Sequence, residues 1–253
     1  MRVLIDMDGV IADFEKGFLD NWRKKYPDKI SIPLEQRTTF HAEEQYPTEL
    51  KKLARAIYEE KGFFLSLQPI SGGIEAIKEM NNSSIDIFIC TSPISKYQHC
   101  VPEKYEWIDK HLGQDWVKKI VITKDKTIVD GNFLIDDKPE ITGVNKPSWE
   151  QILYEQPYNV CVKYKKRITW KNWKTIFPQY KLFYEKSSIY NKETEWHDSR
   201  IIAFTDDDAI NSALDKITKL ELHSASTLIS KAYLETQTGA KIKVYDASDD
   251  EAT

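Results

Sequence analysis

The sequence predicts an α/β protein built on a parallel sheet, with a helical insertion and a C-terminal α/β extension. Three observations carry this. From about Gly72 to Trp173, short apolar runs alternate with helical stretches, the pattern of a Rossmann-like parallel sheet covered on both faces. Between Asp13 and Leu67 no convincing strand is found; instead Phe14, Phe18 and Trp22, then Leu50, Leu53, Ala54 and Ile57, recur at helical spacing. After Tyr184 the charge balance changes while an apolar periodicity persists. The organisation expected is a core of residues 1–13 and 68–184, a helical cap of residues 14–67, and an extension of residues 185–253.

The first strand is Val3-Leu4-Ile5, and it runs directly into Asp6-Met7-Asp8-Gly9-Val10. Like charges buried side by side are costly without a cation or other partners, so Asp6 and Asp8 mark a candidate chemical site. Residues two apart on a strand point the same way, toward the crevice beyond the carboxyl ends where open α/β sheets bind ligands. The plain alternative is an Asp-rich turn. A second strand, Ile85 to Cys90, ends in Thr91-Ser92-Pro93, which offers hydroxyls and N–H groups to an anion. A third, Lys119 to Ile122, precedes Thr123-Lys124-Asp125-Lys126 and its ammonium groups. Each of these two has an ordinary explanation, a Ser/Thr-Pro turn or a solvated lysine cluster. A fourth strand, Phe133-Leu134-Ile135, delivers another acidic pair, Asp136-Asp137. Two strands bringing carboxylates to one sheet edge suit a hard oxygen site of the kind magnesium takes, completed by water and phosphate.

In this order the motifs resemble a known set. Asp6-Met7-Asp8-Gly9-Val10, Thr91, Lys126 and Asp136-Asp137 are similar to the four ordered motifs of haloacid dehalogenase superfamily phosphohydrolases. Phe88-Ile89-Cys90-Thr91-Ser92-Pro93, Glu103-Lys104-Tyr105, Asp125-Lys126-Thr127 and Leu134-Ile135-Asp136-Asp137-Lys138 narrow the resemblance to the 5′(3′)-deoxyribonucleotidases. Gly62-Phe63-Phe64-Leu65 and Pro147-Ser148-Trp149-Glu150 add to it. The resemblance covers roughly residues 1 to 180 and nothing beyond.

It implies a haloacid dehalogenase-like fold and a magnesium-dependent phosphatase of deoxyribonucleoside 5′- and 3′-monophosphates, pyrimidines preferred. In it Asp6 is the nucleophile that forms an aspartyl phosphate, and Asp8 protonates the leaving oxygen and then deprotonates water. Mg2+ is held by the Asp6 and Asp137 carboxylates and the Asp8 main-chain carbonyl, with Asp136 orienting the shell. Thr91 and Lys126 hold the phosphoryl group, with Ser92 and Lys104 nearby. Phe14, Phe40 and Tyr58 enclose the nucleoside. Lys124 stands where the family usually carries arginine, keeping the charge without the planar fork. Ordinary packing of the cap is the alternative for Phe14, Phe40 and Tyr58. His41 and His99 flank the same segments and are assigned no role.

Composition sets the remaining bounds. With 253 residues and 41% hydrophobic content, the chain can bury a substantial core. A net charge of −4 gives no basic footprint for a nucleic-acid polymer. No apolar run reaches the ~20 residues of a membrane span. The first strand begins at Arg2 or Val3 and leaves no room for a presequence, so a cytoplasmic enzyme with a small nucleotide substrate is expected. Cys90 and Cys161 lie in apolar stretches read as strands and, with Cys100, are expected to be reduced thiols. Lys163 to Lys181 is basic and aromatic and reads as a packed final helix.

After Tyr184 lie 14 acidic and 8 basic residues. Ile201 to Phe204 reads as a strand, Asp206-Asp207-Asp208 as a helix start, about Ser224 to Thr236 as a second helix, Ile242 to Tyr245 as a strand, and Asp249-Asp250-Glu251 as a frayed end. Docking on the chain's own core or on a second copy, as a homodimer, are both open. Two other functions are also open: a phosphatase of another small phosphate ester, and a binding or regulatory protein acting through the acidic tail.

Overall fold

The computed structural model describes residues 1–83, 85–188, 194–203, 206–222 and 227–247. They form two compact units, one of Arg2–Lys78 with Asp86–Lys171, the other of Glu79–Ile85 with Asn172–Thr253 and Met1.

The first unit is mixed α/β. Its six strands are β1 (Arg2–Ile5), β2 (Asp86–Thr91), β3 (Ile120–Ile122), β4 (Phe133–Asp136), β5 (Glu150–Tyr154) and β6 (Arg167–Ile168). They lie in the order β3-β2-β1-β4-β5-β6, and every neighbouring pair is parallel. Val3, Leu4 and Ile5 alternate in direction yet all have no exposed surface, so both faces of the sheet are covered at β1.

The chain between β1 and β2 is helical throughout its regular parts, with α1 (Phe14–Lys25), α2 (Thr48–Tyr58), α3 (Phe63–Ser66) and α4 (Gly73–Asn82). Asp13 caps α1 by accepting from Lys16 N at 3.1 Å, and Arg23, Lys24 and Lys25 sit at its negative end. After β2 come α5 (Tyr97–Leu112) and α6 (Gln114–Val117). Cys100, Glu103, Lys104, Trp107 and Ile108 form the buried stripe of α5, spaced by three and four. Two ionisable side chains therefore enter the interior on an otherwise apolar face.

The second unit holds α7 (Trp173–Ile176), β7 (Gln179–Ser188), β8 (Thr194–Ile202), α8 (Asp206–Leu222), β9 (Thr227–Glu235) and β10 (Lys241–Asp246). The strands form an antiparallel sheet in the order β10-β9-β7-β8. Ala209, Ala213 and Ile217 of α8 pack with Tyr180, Leu182, Ile229 and Leu234 in one buried cluster. Asp206 begins α8 and accepts a hydrogen bond from Tyr180 Oη at 2.7 Å.

Four expectations are corrected here. Residues 227–235 are strand, not helix. Opposite Glu185 and Lys186 of β7, Ser230 of β9 is an extra residue that shifts the register, so Ile229 and Ala232, three apart, both turn inward and imitate helical spacing. The stretch from Lys163 to Lys181 holds β6 and, as its helix, the four-residue α7; from Gln179 onward, buried Tyr180, Leu182 and Tyr184 alternate at strand period. The boundary at 184/185 therefore falls inside β7. Cys161 is exposed in a turn rather than buried in a strand, whereas Cys90 and Cys100 are buried, and all three are free thiols. Phe204, residues 224–226 and Asp249 to Glu251 lie outside the described residues. Among the described residues no helix is long and apolar enough to cross a membrane.

Candidate active site

Because the strands are parallel, their carboxyl ends share one edge, and the chemistry-bearing residues follow from it. β1 pairs Ile5 with Ile89 of β2 and with Ile135 of β4. Asp6 extends this ladder by donating its N–H to Ile135 O at 2.9 Å. Asp6 thus leaves β1 beside Asp136 and Asp137, with Thr91 at the end of β2. The chain then turns sharply: the N–H groups of Val10, Ile11 and Ala12 all converge on Met7 O. Gly9 sits in this turn with φ +74°.

Lys126 is the central cation. Asp125 holds it in place by capping the short 3-10 turn Lys126–Ile128 through Thr127 N. Its Nζ lies 2.6 Å from Asp136 Oδ2 and 2.8 Å from Asp6 Oδ1, the second contact falling outside hydrogen-bond geometry. Burial opposes the charge on Lys126, but Asp136 and Asp6 override it and hold the ammonium above its ordinary range. Asp136 is then saturated, since its Oδ1 accepts from Lys138 N at 2.8 Å. A second buried cation, Lys104, donates to Asp8 Oδ2 at 2.5 Å and to Thr91 Oγ1 at 2.8 Å. Burial raises the Asp8 carboxyl, Lys104 offsets part of this, and Asp6 adds to it; the net direction is up. Asp137 is driven well above the usual carboxylate range by burial and then by Asp136 and Asp6.

The site is short of positive charge. One oxygen each from Asp6, Asp136 and Asp137 lie within 4.8 Å of one another. The buried Asp6 Oδ1, Asp8 Oδ1 and Asp137 Oδ1 accept no hydrogen bond. Clustered, unsatisfied carboxylate oxygens are a donor set that fits a hard divalent cation.

A pocket of about 540 Å³ opens over these acids. Phe14, Phe40, Tyr58, Ser92, Lys124 and Thr91 all line it, together with Asp6, Asp8, Lys126, Asp136 and Asp137. Lys104 does not; it is fully buried behind the wall, where it joins Asp8 to Thr91. The Phe14 ring centroid lies 5.7 Å from Tyr58 and 5.4 Å from Phe63. Phe40 is carried on a separate loop, which buried Arg37 fastens by binding Glu15 at 2.6 Å and the carbonyls of Thr39 and Ala42. Sequence reasoning missed His41, Glu43, Arg55, Lys138 and Tyr158, which also line the pocket. Of these His41 carried a signal as a neighbour of Phe40, and Lys138 as the last residue of the Leu134-Ile135-Asp136-Asp137-Lys138 motif. Burial and the Glu43 charge raise the Tyr58 phenol.

A parallel α/β sheet with an acid-and-lysine pocket at its carboxyl edge has the layout of a phosphoryl-transfer enzyme, and comparison with known proteins gives the class. Residues 1–182 match the model of a family described as 5′ nucleotidase, deoxy (pyrimidine), cytosolic type C protein. The human cytosolic-type 5′(3′)-deoxyribonucleotidase is 46% identical over 186 residues, covering 70% of this chain and 92% of that one. The mouse mitochondrial 5′(3′)-deoxyribonucleotidase is 48% identical over 164 residues, covering 63% and 74%. The class is a phosphoric monoester hydrolase with nucleotide phosphatase activity. The chain belongs to the cytosolic type C family of 5′-deoxynucleotidases over its first 182 residues.

Proposed function

We propose that the protein is a magnesium-dependent phosphatase of deoxyribonucleoside 5′- and 3′-monophosphates, preferring pyrimidines, and that it works through a phosphoryl group carried on Asp6. The observation that carries this reading is the buried Asp6–Asp136–Asp137 cluster with Lys126 at the sheet edge, whose residues line one pocket together with Phe14, Phe40 and Tyr58. Asp6 and Asp137 would hold the ion through their carboxylates and Asp8 through its main-chain carbonyl. Asp136, both oxygens engaged by Lys126 and Lys138 N, orients the group. When bound, magnesium supplies charge neutralisation for the phosphate oxygens.

The remaining chemistry belongs to side chains. Asp6 attacks phosphorus in line while Asp8 gives its proton to the departing sugar oxygen, so the P–O bond to the sugar breaks as the bond to Asp6 forms. Asp8 then takes a proton from water. That water attacks phosphorus, Asp6 leaves as a carboxylate, and inorganic phosphate is released. Lys104, at 2.5 Å, fixes which Asp8 oxygen is tied back. Thr91 and Lys126 hold the phosphoryl group, with Ser92 and Lys124 on the wall. Phe14, Phe40 and Tyr58 offer ring faces to the base and little room for an unpartnered 2′-hydroxyl.

Turnover of a panel of deoxy- and ribonucleoside monophosphates, with magnesium and with excess chelator, tests the reading. Hydrolysis of deoxyuridylate over uridylate, lost on chelation, is the result expected. Full activity in chelator removes the magnesium assignment, and equal kcat/KM for that pair removes the specificity.

A further inference from the structure

Among the pocket residues that the chemistry above does not use, Tyr158 has the most specific surroundings. It is buried, and its hydroxyl donates to Asp137 Oδ2. The same short turn makes two more connections. Asn159 Nδ2 donates to the main-chain carbonyl of Asp137 at 2.8 Å and to Tyr154 O at 2.8 Å. Gln156 Nε2 donates to Gly9 O at 2.6 Å. One segment following β5 therefore grips both acidic loops, the one after β1 and the one after β4.

The consequence for Asp137 is directional. With Oδ2 engaged by Tyr158 and the backbone held by Asn159, Oδ1 is the oxygen left without a hydrogen bond. The space for this arrangement comes from Gly9: a Cβ there would lie 2.9 Å from Asp137 Cγ and 3.3 Å from Tyr158 Oη. The Tyr158 ring is itself fixed edge-on to Phe40, with centroids 5.9 Å apart, and under the Arg37 guanidinium.

We propose that the Gln156–Asn159 turn is a clasp for the Asp137 carboxylate, and that Tyr158 is a positioning residue whose hydroxyl binds one Asp137 oxygen so that the other is presented to the divalent cation. This rests on the magnesium reading above. Because the Tyr158 hydroxyl is engaged by Asp137, its effect should appear in metal affinity rather than in the chemical step.

Tyr158→Phe removes one hydroxyl and keeps the ring. In the full-length protein, Mg2+ is titrated against the melting temperature, without substrate, and separately against the rate of deoxyuridylate hydrolysis. We expect the Mg2+ midpoint of both curves to rise about 10- to 100-fold, the range for partners of metal ligands, with kcat at saturating Mg2+ close to wild type. Tyr158→His, which keeps a ring N–H donor, should recover part of the affinity and guards against a folding defect in the first variant. An unchanged midpoint in Tyr158→Phe overturns the proposal, as does a lowered kcat with an unchanged midpoint, which would place Tyr158 in the chemistry. If the wild type itself shows no response to Mg2+ in melting or in hydrolysis, the magnesium reading falls and the clasp falls with it.

Discussion

Replacing Gly9 by alanine should be among the most damaging single-methyl additions in the protein, and its size follows from two separate costs. The first is backbone: φ +74° is left-handed, where a residue with a Cβ loses about 1–2 kcal/mol. The second is steric, because the new Cβ would fall well inside van der Waals contact distance of Asp137 Oδ2 and lie 2.9 Å from its Cγ. The carboxylate must move and the Tyr158 bond is lost, at roughly 1.5–3 kcal/mol for a hydrogen bond to a charged group. Together these give ~2.5–5 kcal/mol, or a fall in Tm on the order of 5–20 °C at about 2–4 °C per kcal/mol for a unit of this size. Gly62 separates the two costs, since it also has positive φ, +91°, but nothing lies within 4 Å of its Cβ position. Gly62→Ala should therefore show the backbone cost alone, ~1–2 kcal/mol. Melting of both variants with and without Mg2+, together with deoxyuridylate hydrolysis, is the measurement. Only Gly9→Ala should lose its Mg2+-induced rise in Tm. A Gly9→Ala protein no less stable than Gly62→Ala, with its Mg2+ response intact, would refute the close approach of Gly9 to Asp137.

Three further outcomes are expected. Asp6→Asn should abolish turnover and phosphoenzyme formation, whereas Asp8→Asn should still bind substrate while losing about 10²- to 10⁴-fold in rate for each proton transfer; near-normal turnover by Asp6→Asn would reassign the nucleophile. Asp8 and Asp137 are held above the ordinary 3.8 in the folded protein, so it binds more protons than the unfolded chain just above that pH, and in chelator its Tm should fall as pH rises through that interval. Saturating Mg2+ should flatten this slope, and a Tm that rises with pH in chelator would contradict the burial of these acids. A chain ending at Pro178 lacks all four strands of the second sheet and should retain Mg2+-dependent hydrolysis; a folded but inactive product would show that the extension serves the site.

The acidic residues were legible because each stands at the end of an apolar run that forms a parallel strand, so a one-dimensional pattern became a shared edge. Thr91 and Lys126 were found through the order of motifs, and the structure brings both to that edge. Lys104 was expected near the phosphate, and the stripe of α5 carries it to Asp8 and Thr91, a placement set by helix rotation. Tyr158, Asn159 and Gln156 gave no signal, because a Pro-Tyr-Asn turn acquires its meaning only from the register of β5 against β4. In β9 local spacing misled, since a bulge at its own Ser230, visible only in the pairing with β7, decides which residues face inward. Cys161 was misread for a related reason: the apolar residues around it belong to a turn, not to a ladder.

The contacts that complete the acidic loop also fix when it can exist. The Trp170 indole N–H donates to Val10 O across 160 residues, Gln156 reaches Gly9 across 147, and β1 finds its β4 neighbour some 130 residues later. At a synthesis rate of roughly 5–20 residues per second, the first strand waits on the order of 10–30 s for the segment that closes over it. During the first part of that interval the nascent chain carries Asp6 and Asp8 just past a central strand that has neither neighbour, and then only β2, before β4 is made. A ribosome-bound fragment stopping short of Trp170 should therefore lack the finished loop, and competence should arrive late and together with the last residues of the first unit.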